Sequence, residues 1–278
     1  MRKGMNCFSM ADVKIDEELK GKDIYRIMPL DRFLQLLYSG HNILVHPSVW
    51  DDPYEKMLSE SKWKYNDTIT KFDEKLWYGQ SWTLNKSDET MWRAYTNNTK
   101  TRAVKIKTTV DKISNMLKDG VNYNKTVTYY LRKIHYCNDN NLDFIYSVYK
   151  NFSEEMDHIA KTFNLEKKEE KAINKSLEIV GLCILSSKRN SFEHENEVRL
   201  LVHRTKKSKE NNYTLKFEIP NLIEEVELDP WSPEELVQPI REIIFGKLNK
   251  NISVFRSKLY DPPTFAPQLN ISIQSTQS

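Results

Sequence analysis

The stretch Glu195-Asn196-Glu197-Val198-Arg199-Leu200-Leu201-Val202-His203 makes two opposed demands on any fold. Its apolar residues ask for burial. Read as a strand, with alternate side chains on opposite faces, it sets Val198, Leu200 and Val202 against Glu197, Arg199 and Leu201. Glu195 joins the charged side by the same period of two. Three charges in a row next to strands that look buried need pairing or a ligand, because an unpaired buried charge is strongly destabilising. The bland alternative is a solvent-facing ladder on an edge strand.

Other segments share this mixture of short strand patterns and helical ones. Ile24 to Met28, Asn42 to His46, Gln80 to Leu84 and Ala103 to Lys107 alternate as strands, the last as a half-buried one. Lys125 to Tyr136 is β-rich, and Ile179 to Ser186 reads as a buried strand. Further strands are expected at Tyr213–Ile219, Ile240–Phe245 and, in the tail, Leu269–Ile273. Helices are expected from Pro29 to a C-cap at Gly40, over 54–78, over Asp88–Tyr95, from Val110 to Leu117, and as a pair within 141–180. Strands with helices inserted between them, rather than regular βαβ alternation, predict an α+β domain. We expect a loose leader over 1–22, one domain over 23–262 with a helical insertion around 138–178, and a tail over 263–278.

Composition removes several classes of function. The 278 residues include 42 basic and 39 acidic side chains, so the net charge of +3 does not mark a nucleic-acid binder. Six Trp, 14 Tyr and 11 Phe supply enough area to close a core. Three scattered cysteines, Cys7, Cys137 and Cys183, form no zinc spacing and read as reduced thiols of a cytoplasmic protein. No apolar run approaches the ~20 residues of a membrane span. Seven glycines in the whole chain leave no GxGxxG and no P-loop. No metal site is expected.

Four clusters can carry chemistry. Tyr25-Arg26 puts a guanidinium on a core strand, where its planar fork suits a phosphate or a carboxylate. Trp50-Asp51-Asp52-Pro53-Tyr54-Glu55 is an aromatic, acidic loop; a helix start with Asp52 as cap and Glu55 completing a capping box explains the same residues. Ser81-Trp82-Thr83 with Met91-Trp92-Arg93-Ala94-Tyr95 offers hydroxyls and a wall for a flat ring, while Met91, Trp92 and Tyr95 also fit one core-facing side of a helix. The fourth is Lys188 with Phe192-Glu193-His194-Glu195-Asn196-Glu197-Val198-Arg199.

In this order, the four clusters followed by Ile243-Ile244-Phe245-Gly246 resemble the bacterial domain-of-unknown-function 2971 family over about residues 23–247. More distantly, Arg26, Ser81 and Glu197, with Leu37-Tyr38-Ser39-Gly40 after the first strand, are similar to the ADP-ribosyltransferase fold. That resemblance implies a mixed, mostly antiparallel split sheet. It implies NAD as substrate and no metal. Glu197 would stabilise the oxocarbenium-like cation formed when nicotinamide leaves, and Glu195 would orient the acceptor or take its proton. Arg26 would hold the pyrophosphate or the ribose side. Tyr25, Trp50, Asp52, Tyr54, Ser81, Trp82, Trp92, Tyr95 and Arg199 would line the cofactor site or hold its carboxylates. The expected activity is mono-ADP-ribosyl transfer to RNA, DNA or protein by a toxin or phage-defence effector, with an antitoxin or immunity partner. The alternative is a non-catalytic binding or sensor module of a bacterial defence system. A nuclease built on Asp51, Asp52 and Glu55 is a weaker third reading.

Overall fold

The computed structural model describes residues 12–59, 62–65, 68–71, 76–86, 88–118, 124, 126–138, 140, 143–148, 150, 153, 169–207 and 209–263. In chain order its elements are β1 (Asp12–Ile15), β2 (Asp23–Pro29), α1 (Leu30–Ser39), β3 (His41–Val45), α2 (Pro53–Ser59), β4 (Lys62–Tyr65), β5 (Thr68–Lys71), β6 (Trp77–Thr83), α3 (Glu89–Tyr95), β7 (Ala103–Thr109), α4 (Val110–Lys118), β8 (Val127–Lys133), β9 (His135–Cys137), α5 (143–148), α6 (Glu169–Leu185), β10 (Ser187–Arg189), β11 (Glu197–Arg204), β12 (Asn212–Lys216), α7 (Ile219–Leu222), β13 (Glu225–Leu228), α8 (Val237–Leu248) and β14 (Ser253–Arg256). The α+β expectation holds.

Ten strands form one open, mixed sheet in the order β1-β8-β11-β6-β2-β7-β13-β14, with the β3-β12 pair attached to β6. The β1–β8 and β13–β14 pairs are parallel and the rest antiparallel. The arrangement around β6 positions the site. One edge of β6 pairs with β11 along its whole length. The other edge is shared: β2 pairs only at Thr83, opposite Tyr25, and β3 only at Gly79, opposite Val45. Between these two contacts the sheet divides, and Gln80, Ser81 and Trp82 face the division.

Helices cover both faces. On one, Phe33, Leu36 and Leu37 of α1, Val110, Ile113 and Leu117 of α4, and Val237, Ile240 and Ile244 of α8 bury Val198, Leu200 and Val202 of β11. On the other, Leu201 packs with Trp77, Tyr130, Phe144 and the end of α6. The period of two read from β11 is thus obeyed, and β11 lies in the middle of the sheet rather than at its edge. Gly40 closes α1 in the left-handed region, at φ 67°, and its N–H reaches Leu36 O.

Several expectations are corrected. Residues 12–15, assigned to the leader, form the edge strand β1 beside β8. The helix expected over 54–78 is only α2; β4 and β5 follow it as an antiparallel pair. Ile179–Ser186 is the C-terminal half of α6, and Ile240–Phe245 lies inside α8. Short apolar runs look alike in buried strands and buried helices, so length settled these two cases against the strand reading. Tyr213–Ile219 is split between β12 and α7. β7 is buried rather than half-buried, because Lys105 is enclosed in an ion pair. The tail strand at 269–273 lies outside the described residues, as does Cys7, while Cys137 and Cys183 are free and buried. No described helix is long and apolar enough to cross a membrane.

Candidate functional site

The charged face of β11 meets a ring of partners. Glu197 and Arg199 are each only 2% exposed. Arg199 donates from Nε to Glu197 Oε1 at 2.7 Å and from Nη2 to Glu197 Oε2 at 3.1 Å. Its Nη2 also reaches Glu55 Oε1, and its Nη1 donates to Leu185 O at 2.8 Å. The guanidinium stacks 4.4 Å from the centre of the Trp50 ring. Gly79 makes room for that ring: a Cβ there would sit 2.5 Å from Trp50 Cζ2.

Ser81, opposite Arg199 in the β6–β11 register, donates its hydroxyl to Glu197 Oε1 at 2.5 Å. Lys188 of β10 bridges Glu195 Oε2 at 2.5 Å and Glu197 Oε2 at 3.2 Å. Glu195 stands outside the strand, in a turn ended by Asn196 in the left-handed region, so it approaches Glu197 through Lys188 rather than along a ladder. The Glu197 N–H donates to Tyr136 Oη at 2.8 Å.

These contacts set the charge states. Burial alone pushes the Glu197 carboxyl upward. The Arg199 and Lys188 charges, with hydrogen bonds from Arg199 and Ser81, outweigh burial and hold it down at about 2. Burial likewise lowers the Lys188 ammonium, but Glu197 and Glu195 leave it raised. Glu55 shares the same guanidinium, yet its burial wins and its carboxyl is pushed up. Of the two carboxylates on Arg199, the firmly ionised one is Glu197.

Arg26 is placed differently. It is the first β2 residue beyond the single β2–β6 pair, so it stands at the division of the sheet. Its Nη1 donates to Asn42 Oδ1 at 3.0 Å. Asn42 and Gln80 form a buried amide pair across the gap, and Gln80 also accepts from Trp82 Nε1 at 3.0 Å. No carboxylate among the described residues pairs with Arg26. Burial depresses its guanidinium to about 10, while the nearby Tyr95 hydroxyl acts the other way. Burial in turn pushes the Tyr95 phenol up.

Two joined cavities open at this division. One, of about 170 Å3, is lined by Tyr25, Arg26, Ser81, Trp82, Met91, Tyr95, Lys188, His194, Glu195 and Glu197 among others. The other, of about 430 Å3, runs along the gap past Arg32, His41 and Trp50, and shares Arg26, Ile27, Ser81 and Tyr95 with the first. Eight of the sequence-derived candidates therefore line one space: Tyr25, Arg26, Trp50, Ser81, Trp82, Tyr95, Glu195 and Glu197. Arg199 stands behind Glu197 as its clamp.

Three candidates are elsewhere. Trp92 is fully buried with Ile27 and Ala103 and belongs to the core. Asp52 caps α2, accepting from Tyr54 N at 3.0 Å, and pairs with Arg189 at 3.0 Å. Tyr54 lies under that Arg189, 4.2 Å from it, and edge-on to Phe144. The expected capping box fails in one half, because the Glu55 carboxylate goes to Arg199 instead of back to the helix start. With Asp52 and Glu55 each held by an arginine, the acidic trio with Asp51 does not form a metal cluster, and no group of three or more metal-ligating side chains occurs among the described residues. Asn42 and Gln80 were not among the sequence-derived candidates, because a buried amide pair leaves no local pattern; His194 lay inside the fourth cluster but was given no role of its own.

Within the basic run Lys100, Arg102, Lys105 and Lys107, the last two do not form an open face. Lys105 is buried against Glu227 at 2.5 Å, and Lys107 pairs with Asp23 at 2.8 Å. No curated protein and no solved structure matches the chain. Residues 91–200, which carry Tyr95, Lys188, Glu195, Glu197 and Arg199, match the model of the family described as Protein of unknown function (DUF2971).

Proposed function

We propose that the joined cavities bind NAD and that the protein transfers its ADP-ribosyl group to a macromolecule. The observation that carries this reading is the Ser81–Glu197 hydrogen bond of 2.5 Å inside the same 170 Å3 pocket as the uncompensated Arg26. NAD has a cationic nicotinamide-ribose end and an anionic pyrophosphate. The site has both complements. On the Glu197 side the pocket is lined by two carboxylates, Glu195 and Glu197, against one ammonium, Lys188, giving a wall suited to positive charge. Arg26 stands apart from them and suits a phosphate. Trp82, Met91 and Tyr95 pack beside the carboxylate and suit a flat ring. The longer cleft past Trp50 and Arg32 takes the adenosine half.

In this mechanism the C1′–N bond to nicotinamide breaks with its electron pair going to nicotinamide, which leaves neutral. Positive charge builds on the ribose ring, and the Glu197 carboxylate, already ionised and held by Arg199 and Ser81, stabilises it without reorganising. Ser81 orients Glu197. Glu195, held by Lys188, borders the face from which the acceptor attacks.

The test is binding of NAD by calorimetry, followed by incubation of labelled NAD with total cell protein, RNA and DNA. Transfer is expected to fall at least about 100-fold in Glu197→Gln, a typical loss for removing a preorganised electrostatic group. Ser81→Ala, which leaves both Arg199 contacts in place, is expected to lose less. Label transfer that survives Glu197→Gln in a folded protein removes Glu197 from the mechanism, and no binding at millimolar NAD removes the class.

A second reading is favoured by the same clamp. Arg199, Lys188 and Ser81 engage both oxygens of Glu197, as in a purely structural ion cluster. Under that reading the cavity is a non-catalytic sensor site. Glu197→Gln then destabilises the fold, and the wild-type protein consumes no NAD.

A further inference from the structure

A third cavity, larger than the two above, has no role in the reading above. It measures about 1090 Å3 and is walled by β8, β9, the C-terminal end of α6 and the 193–196 turn. It lies across that turn from the Glu197 pocket, and His194 is the one residue lining both spaces. The turn is pinned: Asn85 Nδ2 donates to His194 O at 2.6 Å, and Asn196 Nδ2 donates to Asn85 Oδ1 at 3.2 Å. The His194 ring is exposed and makes no hydrogen bond among the described residues.

Charge indicates what this cavity can accept. Both of its lining cations are already paired, Arg132 to Asp16 at 2.9 Å and Lys133 to Glu18 at 3.1 Å. Phosphates would therefore find no free guanidinium or ammonium there. Glu17, itself paired with Lys20 at 2.7 Å, and Glu193, for which no ion pair is found among the described residues, add two more carboxylates, giving four lining acids against two lining bases. Seryl hydroxyls and amides complete a polar wall.

We propose that this cavity seats the acceptor of the transfer, that the acceptor is a basic segment of a protein, and that His194 removes the proton from its attacking atom. The inference rests on the ADP-ribosyl transfer reading. The balance is simple. The acceptor O or N forms the new bond to C1′ as the C1′–nicotinamide bond breaks, and the acceptor proton passes to the imidazole and then to water. His194 is placed for this because it lines both the Glu197 pocket and the acceptor's cavity.

The experiment uses the full chain, labelled NAD, and separate protein and nucleic-acid fractions of a lysate. NAD binding is measured first, so loss of the transferase reading is seen independently. With NAD bound, label is expected on protein, and poly-lysine is expected to compete while poly-glutamate does not. His194→Ala is expected to lower kcat for transfer about 100-fold, the usual scale of general-base catalysis. Free imidazole should restore at least a tenth of it, which a merely structural histidine would not allow. Glu193→Lys should raise the acceptor KM several-fold with little change in kcat. Label on nucleic acid, label released only to water, indifference to poly-lysine, or undiminished transfer by His194→Ala overturns the proposal.

Discussion

Two buried charged clusters lie in the same sheet, and they differ in what surrounds them. Lys105 on β7 and Glu227 on β13 face each other at 2.5 Å, with Lys105 only 3% exposed. Lys105 also donates to Lys86 O and lies over the rings of Tyr25 and Trp92. That pair is enclosed and complete. The cluster on β11 has more members, unequal charge and a cavity on one side, and Arg26 stands nearby with no counter-ion among the described residues. A buried ion pair alone is weak grounds for a site. Charge left unbalanced toward an opening is stronger grounds, because a ligand can complete it.

Double replacement separates the two clusters. Lys105→Met alone leaves Glu227 buried and unpaired, at a cost of about 3–5 kcal/mol. Lys105→Met with Glu227→Leu is expected to recover most of that loss, since well-packed apolar residues replace a two-member pair nearly neutrally. Arg199→Met is expected to cost at least as much as the first single change, because it leaves Glu55 unpaired and Glu197 held only by Lys188 and Ser81. Adding Glu197→Gln should not rescue it, since Glu55 stays unpaired and Lys188 keeps only Glu195. Urea midpoints of the four variants check this; full rescue at Arg199 would make the β11 cluster as closed as the other.

Why the sequence showed one part of this and hid another has a physical cause. β2, β3, β6 and β11 were legible because each alternates apolar and polar side chains between two environments. The end of α6 and the middle of α8 were not, because buried helices with apolar residues on most sides show no such contrast. β13 and β14 are four residues each, too short to show a period. In the site, the order Arg26, Ser81, Glu197 was legible, and Ser81 does reach Glu197. Glu55 was hidden because a capping box and a buried partner for arginine ask for the same residue. The Asn42–Gln80 pair depends on β3 meeting β6 at one residue, which no local pattern records.

The two carboxylates on Arg199 give a finer comparison, read by pH. Glu197 titrates at about 2 when folded, below the ordinary 4.5. A depressed carboxyl adds stability that is fully present above the ordinary value and is lost as pH falls toward the folded one. Wild type is expected to lose about 3 kcal/mol relative to Glu197→Gln between pH 4.5 and 2, from the linkage relation. Glu55 is raised, so its contribution has the opposite sign: relative to Glu55→Gln, wild type gains as pH falls through the folded value. Chemical denaturation across the acid range measures both slopes, and parallel slopes would show that the guanidinium treats the two alike.

The smallest stability effect is expected at Arg26, and it bears most directly on function. A structural arginine in a sheet is costly to remove because its partner is left behind. Arg26 leaves behind only the neutral Asn42 amide, which keeps Gln80 as a neighbour. Burial already disfavours its charge, as the depression to about 10 records. Arg26→Met keeps the apolar stem and removes that penalty, so stability should change by no more than about 1 kcal/mol, with either sign. Ligand binding should weaken far more, by tenfold or greater, since a charge-assisted hydrogen bond is worth about 1.5–3 kcal/mol. The same purified variant gives both numbers, one by urea titration and one by NAD calorimetry. If Arg26→Met instead unfolds the protein as readily as Lys105→Met does, then Arg26 is a strut of the divided sheet and not a ligand for phosphate.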